Sequence, residues 1–176
     1  MSFLSLNVNG LRDANKRAGL LEWLSHLVLD FVCLQETHVV SSEECNSWFS
    51  PFGFLCLASP GLIHSRGSVL LYRPHFVLDN SQIDSDGRFV LASFKFHEMS
   101  LRVVCLYAPN QNPDHDDFFA FCESAVDPSI PTLLCGDFNA VFDWALNRRG
   151  SNIFDTARES CATLSALFDG CCIADV

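Results

Sequence analysis

The chain has 176 residues, enough for one domain with a substantial core, and 49% apolar against 18% charged residues exclude a disordered segment. No apolar run reaches the roughly eighteen residues of a membrane-spanning helix. A net charge of −10 gives no basic footprint for nucleic acid; either the excess acid serves solubility, or some carboxylates hold a metal that inverts the local charge.

In chain order, Phe3 to Leu6 reads as a strand that begins at once, with no basic leader before it. Leu20, Leu24, Leu27 and Val28 recur at helical spacing. Phe31 to Leu34 is a second strand, and Ser41-Ser42-Glu43-Glu44 offers a capping box that opens a short helix. Phe52 to Leu57 and Ser68 to Tyr72 look like strands. So do Phe89 to Phe96 and Leu101 to Tyr107, which His97 to Ser100 would join as a hairpin. Asp114 to Val126 reads as a helix with an acidic first turn, and Thr132 to Cys135 as a buried strand. A second capping box, Thr156 to Glu159, would lead a helix through Leu164 and Leu167, and Cys172 to Val176 begins one more strand.

No repeat, low-complexity tract or linker divides residues 1–176. Strands, helices and a hairpin together predict a layered α/β domain with mixed sheets, and near-continuous apolar strands predict burial on both faces. A central strand at the very end would leave sheet partners missing, so the domain is expected to be incomplete at its C-terminus. Mean hydropathy of +0.20 adds an expectation of poor solubility. Nine cysteines without a C-x-x-C pair give no zinc spacing. Cys33, Cys56, Cys105 and Cys135 sit inside apolar runs, which fits a reduced, intracellular setting, nuclear or cytoplasmic.

Four apolar runs end in polar clusters: Asn7-Val8-Asn9-Gly10, Gln35-Glu36-Thr37, Tyr107-Ala108-Pro109-Asn110 and Gly136-Asp137-Phe138-Asn139. Ligands of α/β folds bind at the carboxyl ends of strands, so if these strands are neighbours the clusters converge on one rim. Each cluster alone is also an ordinary turn or strand exit; their shared position is what counts. Carboxylate and amide oxygens suit a hard cation such as Mg²⁺, which keeps waters and takes substrate phosphate. Phosphodiester hydrolysis is the natural reaction for that set.

With Leu6 to Leu11, Leu34 to His38, Arg66-Gly67-Ser68-Val69, Gly87-Arg88-Phe89, Tyr107 to Asn110 and Gly136 to Asn139 in this order, the sequence resembles the endonuclease/exonuclease/phosphatase superfamily. It is most similar to the endonuclease domain of LINE-type (non-LTR) retrotransposons and to apurinic/apyrimidinic endonucleases. The resemblance implies a four-layer α/β sandwich, two mixed β-sheets face to face with helices outside, its last strands missing. It implies a monomeric DNA-nicking enzyme with Mg²⁺, or Mn²⁺ as substitute, and a parent element that fuses it to a reverse transcriptase. Glu36 would be the principal metal ligand, with Asn7 and Asn9 beside it. Tyr107 would contact the scissile phosphate, Asp137 would orient the attacking water or help protonate the leaving group, and Asn139 would bond the phosphate and hold Asp137. Asn110 and Arg66 would bind substrate.

One departure matters. The family's later Asp and its terminal Ser-Asp-His, which carries the general base, do not occur in the sequence. His38 and His115 are weak substitutes: the first neighbours Glu36 without a base role, and the second lies in an acidic helix start. The chain is therefore expected to be inactive or weakly active alone. The alternatives are an abasic-site repair nuclease or phosphatase of the superfamily, and a non-catalytic relic or interaction module.

Overall fold

The structure is a computed structural model that describes residues 1–110 and 112–140 and, beyond them, Leu164, Ser165, Leu167 and Phe168. The residues form two units. The first comprises Met1–Tyr107 and Ile130–Asp137; the second takes Ala108–Ser129 and resumes at Phe138.

The first unit holds two four-stranded sheets. One has the order β1 (Phe3–Asn7), β2 (Phe31–Gln35), β4 (Ser68–Tyr72), β3 (Leu55–Ser59). The other has the order β5 (Val77–Ile83), β6 (Phe89–Phe96), β7 (Met99–Tyr107), β8 (Thr132–Asp137). Each sheet is mixed in the same way, with one parallel pair at an edge and antiparallel pairs elsewhere. The parallel pairs are β1 with β2, in register from Phe3↔Phe31 to Asn7↔Gln35, and β7 with β8, from Arg102↔Thr132 to Tyr107↔Asp137. A parallel pair needs a crossover. Helix α1 (Ala14–Ser25) lies between β1 and β2 in the chain, and α3 (Asn112–Ala125) between β7 and β8.

Side chains alternate across each strand and so divide between two cores. Phe31 and Cys33 of β2 and Leu70 and Tyr72 of β4 meet Val90, Ala92 and Phe94 of β6 and Val103 and Cys105 of β7 between the sheets. Phe31 anchors that layer, its ring centroid 4.5 Å from Phe76 and 5.1 Å from Phe94. Val32, Leu34, Val69 and Leu71 face the other way, onto Leu21 and Leu24 of α1 and Cys45 and Phe49 of helix α2 (Ser42–Phe49). Every residue of β2 and β4 is buried, which is why Phe31–Leu34 and Val69–Tyr72 read as near-continuous apolar runs. This is the expected α/β sandwich of two mixed sheets with helices.

Caps set the helix starts. Asp13 accepts from Lys16 N at 2.8 Å, and Ser41 Oγ accepts from Glu44 N at 3.1 Å. The Glu44 carboxylate accepts from Val40 N, one residue beyond the N-cap Ser41 that a capping box would use. In the second unit His115, Phe119, Cys122 and Val126 are buried at helical spacing on and just after α3.

Three expectations need correction. Val28 is not on the first helix: the His26 and Leu27 amides tighten onto Trp23 and Leu24, α1 ends at Ser25, and Val28 is 93% exposed. The strand placed over Phe52–Leu57 begins at Leu55, because Ser50–Phe52 forms a 3₁₀ turn that left-handed Gly53 (φ 76°) closes. The turn of the β6–β7 hairpin is only His97–Glu98, with Phe96 paired to Met99. Strand β5 was not foreseen. The expected capping box at Thr156 to Glu159 and strand at Cys172 to Val176 lie outside the described residues. Among the described residues no helix is long and apolar enough to cross a membrane.

Candidate active site

The parallel pairing of β1 and β2 continues beyond the strands. Val8 N donates to Gln35 O (2.9 Å), Gly10 N to Glu36 O (2.6 Å) and Leu11 N to Thr37 O (3.0 Å). On the other side Thr37 N donates to Gly67 O and His38 N to Arg66 O, each at 2.9 Å. Buried Thr37 adds its hydroxyl to Gly67 O at 3.0 Å. A Cβ on Gly67 would stand 2.7 Å from that hydroxyl, so glycine is required there. These clamps hold Asn9 (φ 45°), Glu36 (φ 54°), His38 (φ 59°) and Arg66 (φ 65°) in the left-handed region. Each such residue costs about 1–3 kcal/mol and persists only where its surroundings over-determine it.

The side chains then meet. Asn7 Nδ2 donates to Glu36 Oε1 at 2.9 Å and to Asp137 Oδ2 at 2.8 Å, while Asn7 Oδ1 accepts from Asn9 N at 3.0 Å. One amide thus spends both its protons on two carboxylates from two different sheets. The four strands were expected to bring their polar clusters to one rim if they are neighbours. They end as two parallel pairs in separate sheets, because each sheet closes its own crossover, and the Asn7 amide joins the pairs.

Tyr107 stands in register with Asp137 and is 6% exposed. Arg88, to which the sequence reading assigned no role, clasps it. Arg88 O accepts from Tyr107 N at 2.8 Å, Arg88 Nη1 donates to Tyr107 O at 3.1 Å, and the guanidinium lies 5.2 Å from the ring centroid. Burial, with Arg66 nearby, holds Arg88 below its usual pKa. Its motif with Gly87 and Phe89 was the only sequence signal for it. Asp84 supports this corner, taking the Ser59 hydroxyl and the amides of Arg88 and Phe89.

Of the remaining candidates, Arg66 is tied to the Glu36 turn through its carbonyl, and its guanidinium reaches Asp86 O at 3.5 Å. Asn139 and Asn110 belong to the second unit, where Asn139 Nδ2 donates to Ala108 O at 2.8 Å and Asn110 is exposed. His115 is 4% exposed and its ring is bonded to Pro109 O, an internal tether with no opening for a base. His38 packs against Gly10, where a Cβ would come within 2.8 Å of Nδ1. Burial lowers its pKa and Glu36 raises it, while His64, Lys16 and Arg12 lower it further.

The donors fit a hard cation. Two carboxyl oxygens lie within 2.9 Å of one amide nitrogen, so hard oxygen donors from both sheets gather at one point. Among the described residues no group of three or more His, Cys, Asp or Glu gathers.

A model of the endonuclease/exonuclease/phosphatase family matches residues 4–170. The chain is 24% identical over 181 residues to an exodeoxyribonuclease of Bacillus subtilis (strain 168), covering 91% of this chain and 69% of that protein. The fold is similar to the catalytic domain of Xenopus laevis APE2, with a TM-score of 0.71 at 19% identity over 94% of this chain and 67% of that one. It is equally similar to AP endonuclease LMAP of Leishmania major (TM-score 0.71, 15% identity, 96% and 66%). An AP endonuclease of Archaeoglobus fulgidus matches with a TM-score of 0.63 at 20% identity over 80% of this chain and 58% of that chain. The chain spans between 58% and 69% of the length of these relatives. With residues 4–170 matched, the chain belongs to the endonuclease/exonuclease/phosphatase family.

Proposed function

We propose that the protein is a Mg²⁺-dependent DNA endonuclease that nicks by hydrolysing a phosphodiester. The observation that carries this reading is the single Asn7 amide shared by the Glu36 and Asp137 carboxylates. Glu36, with Asp137, Asn7 and Asn9, would hold the ion, which when bound neutralises charge developing on the phosphoryl oxygens. Asn7 fixes the rotamers of both acids, so no reorganisation is needed as substrate arrives. Asp137 would orient the attacking water or help protonate the leaving group, Tyr107, braced by Arg88, would contact the scissile phosphate, and Asn139 would bond the phosphate. Arg66 and Asn110 bind flanking phosphates.

Within this class the ordered motifs favour a LINE-type element, whose nick leaves a 3′-hydroxyl for a reverse transcriptase. The relatives described as AP endonucleases favour a second reading, cleavage at abasic sites. Because the 176 residues contain no Ser-Asp-His, the proposal includes weak turnover by this chain alone.

The test is nicking of supercoiled plasmid, and of a duplex bearing one tetrahydrofuran abasic analogue, together with calorimetric Mn²⁺ titration. Glu36→Gln and Asp137→Asn should each lower nicking about 10²-fold or more, and Glu36→Gln should abolish Mn²⁺ binding. Nicking that persists in EDTA, or unchanged ion binding in Glu36→Gln, overturns the reading. Cleavage confined to the abasic duplex selects the repair nuclease.

A further inference from the structure

Beneath Asn7 a second side-chain amide spans the two sheets. Gln35 is the last residue of β2 and is 1% exposed. Its Nε2 donates to Ser5 Oγ of β1 at 3.3 Å and to Cys105 Sγ of β7 at 3.5 Å. β1 lies in one sheet and β7 in the other. Gln35 therefore divides its amide protons between the sheets, as Asn7 does, and the two residues are register partners in the parallel ladder.

The registers stack polar side chains in two storeys, because alternate residues of a strand share a face. In the lower storey Ser5 pairs with Cys33, and Cys105 with Cys135. In the upper one Asn7 pairs with Gln35, and Tyr107 with Asp137. The three thiols pack within the layer between the sheets. Gln35 is rooted in the upper storey and reaches back to the lower one in both sheets.

A buried amide is costly unless its protons are satisfied, and an apolar residue of the same size would fill the space as well. What the amide adds is direction. Apolar contact fixes a volume, whereas bonds to two sheets fix their spacing and their slide. That spacing matters directly above. Asn7 reaches Glu36 at 2.9 Å and Asp137 at 2.8 Å, and a relative shift of about 1 Å would break one of the two bonds. The main chain of Gln35 is held as well, since its carbonyl accepts from Val8 N at 2.9 Å.

We propose that Gln35 is a positioning residue: by bonding Ser5 and Cys105 it sets the spacing of the sheets, so that Glu36 and Asp137 both stay within reach of the Asn7 amide. Its consequence for ion affinity rests on the metal-dependent endonuclease reading; its cause lies in the ion-free geometry.

The experiment takes two readouts on the full chain. Proton–nitrogen correlation spectra of the ion-free protein follow the Asn7 side-chain amide, assigned by its loss in Asn7→Ala, and calorimetry follows Mn²⁺. Gln35→Met keeps length and volume and removes the donors. Cys105→Ala removes the acceptor in the second sheet, and Cys105→Ser supplies a hydroxyl in its place. Gln35→Met and Cys105→Ala should each displace the Asn7 amide signals and weaken Mn²⁺ binding about tenfold, while Cys105→Ser keeps the wild-type values. Gln35→Met combined with Asn7→Ala should bind Mn²⁺ no more weakly than Asn7→Ala alone, because nothing is then left to hold in place. Losses that multiply in the double variant, as general loosening would give, overturn the proposal. Unchanged Asn7 signals in Gln35→Met also overturn it and leave the endonuclease reading standing. Absence of Mn²⁺ binding by wild type, with the Asn7 signals responding as expected, overturns the endonuclease reading and upholds Gln35 as the residue that sets the sheet spacing.

Discussion

Replacing Gly136 by alanine tests the frame that places Asp137. Gly136 pairs with Leu106 in the parallel β7–β8 ladder and has φ 156°. A Cβ there would lie 2.1 Å from Leu106 O and 2.9 Å from Leu106 C. Both are backbone atoms of a strand flanked on each side, so they have nowhere to retreat. Overpacking costs about 1–3 kcal/mol, and the unfavourable φ about 1–3 more, so Gly136→Ala should destabilise by about 3 kcal/mol or more. At this size 1 kcal/mol moves the Tm by about 2–4 °C, which gives a fall of about 6–12 °C in a thermal melt followed by circular dichroism. Gly19 supplies the control. It lies inside α1 with nothing within 4 Å of an added Cβ. Gly19→Ala should therefore stabilise by about 1 kcal/mol and raise Tm by about 2–4 °C. A Gly136→Ala melt within about 2 °C of wild type would refute the reasoning, because β8 would then have room to shift away from β7.

Two further substitutions separate core from site. Phe31, fully buried among Phe76 and Phe94 between the sheets, should cost about 3–5 kcal/mol as alanine, read as a fall in the denaturant midpoint. Asn7 is exposed, so Asn7→Ala should move Tm by less than about 2 °C. Yet it releases two carboxylates at once, and the Mn²⁺ affinity should drop about 10–100-fold in calorimetry.

How much of this was visible in the sequence depends on how each residue is buried. β2 and β4 announce themselves because both their faces are covered and all but one residue of each, Gln35 and Ser68, are apolar or aromatic. β5 runs Val77-Leu78-Asp79-Asn80-Ser81-Gln82-Ile83 at a sheet edge with most of its residues exposed, and its pairing to β6 shifts register between Leu78 and Asn80. Neither alternation nor an apolar run marks it; only its partner defines it. The polar clusters at four strand ends were legible as positions. Their division between two sheets was not, since it depends on which crossovers close, a long-range choice that no local pattern records. Asn7 was read as a metal neighbour. That its amide spans Glu36 and Asp137, 130 residues apart in the case of Asp137, emerges only when the sheets stack.

The charge argument changes most. A net charge of −10 counted against a nucleic-acid partner, but net charge is a sum and binding responds to a local field. In the first unit Lys and Arg side chains are drawn to the carbonyls at the strand ends. Arg12 donates to His38 O (3.2 Å), Lys16 to Asn9 O (2.8 Å), Arg17 to Leu11 O (2.7 Å) and Arg88 to Tyr107 O (3.1 Å). The physical reason lies in the same turns that position the acids. Asn9 and His38 are left-handed, and long cationic side chains bond their carbonyls, Lys16 that of Asn9 and Arg12 that of His38. The backbone geometry that brings Glu36 and Asp137 to one amide thus also draws four cationic side chains to these strand ends, so a chain of net charge −10 gathers cations locally.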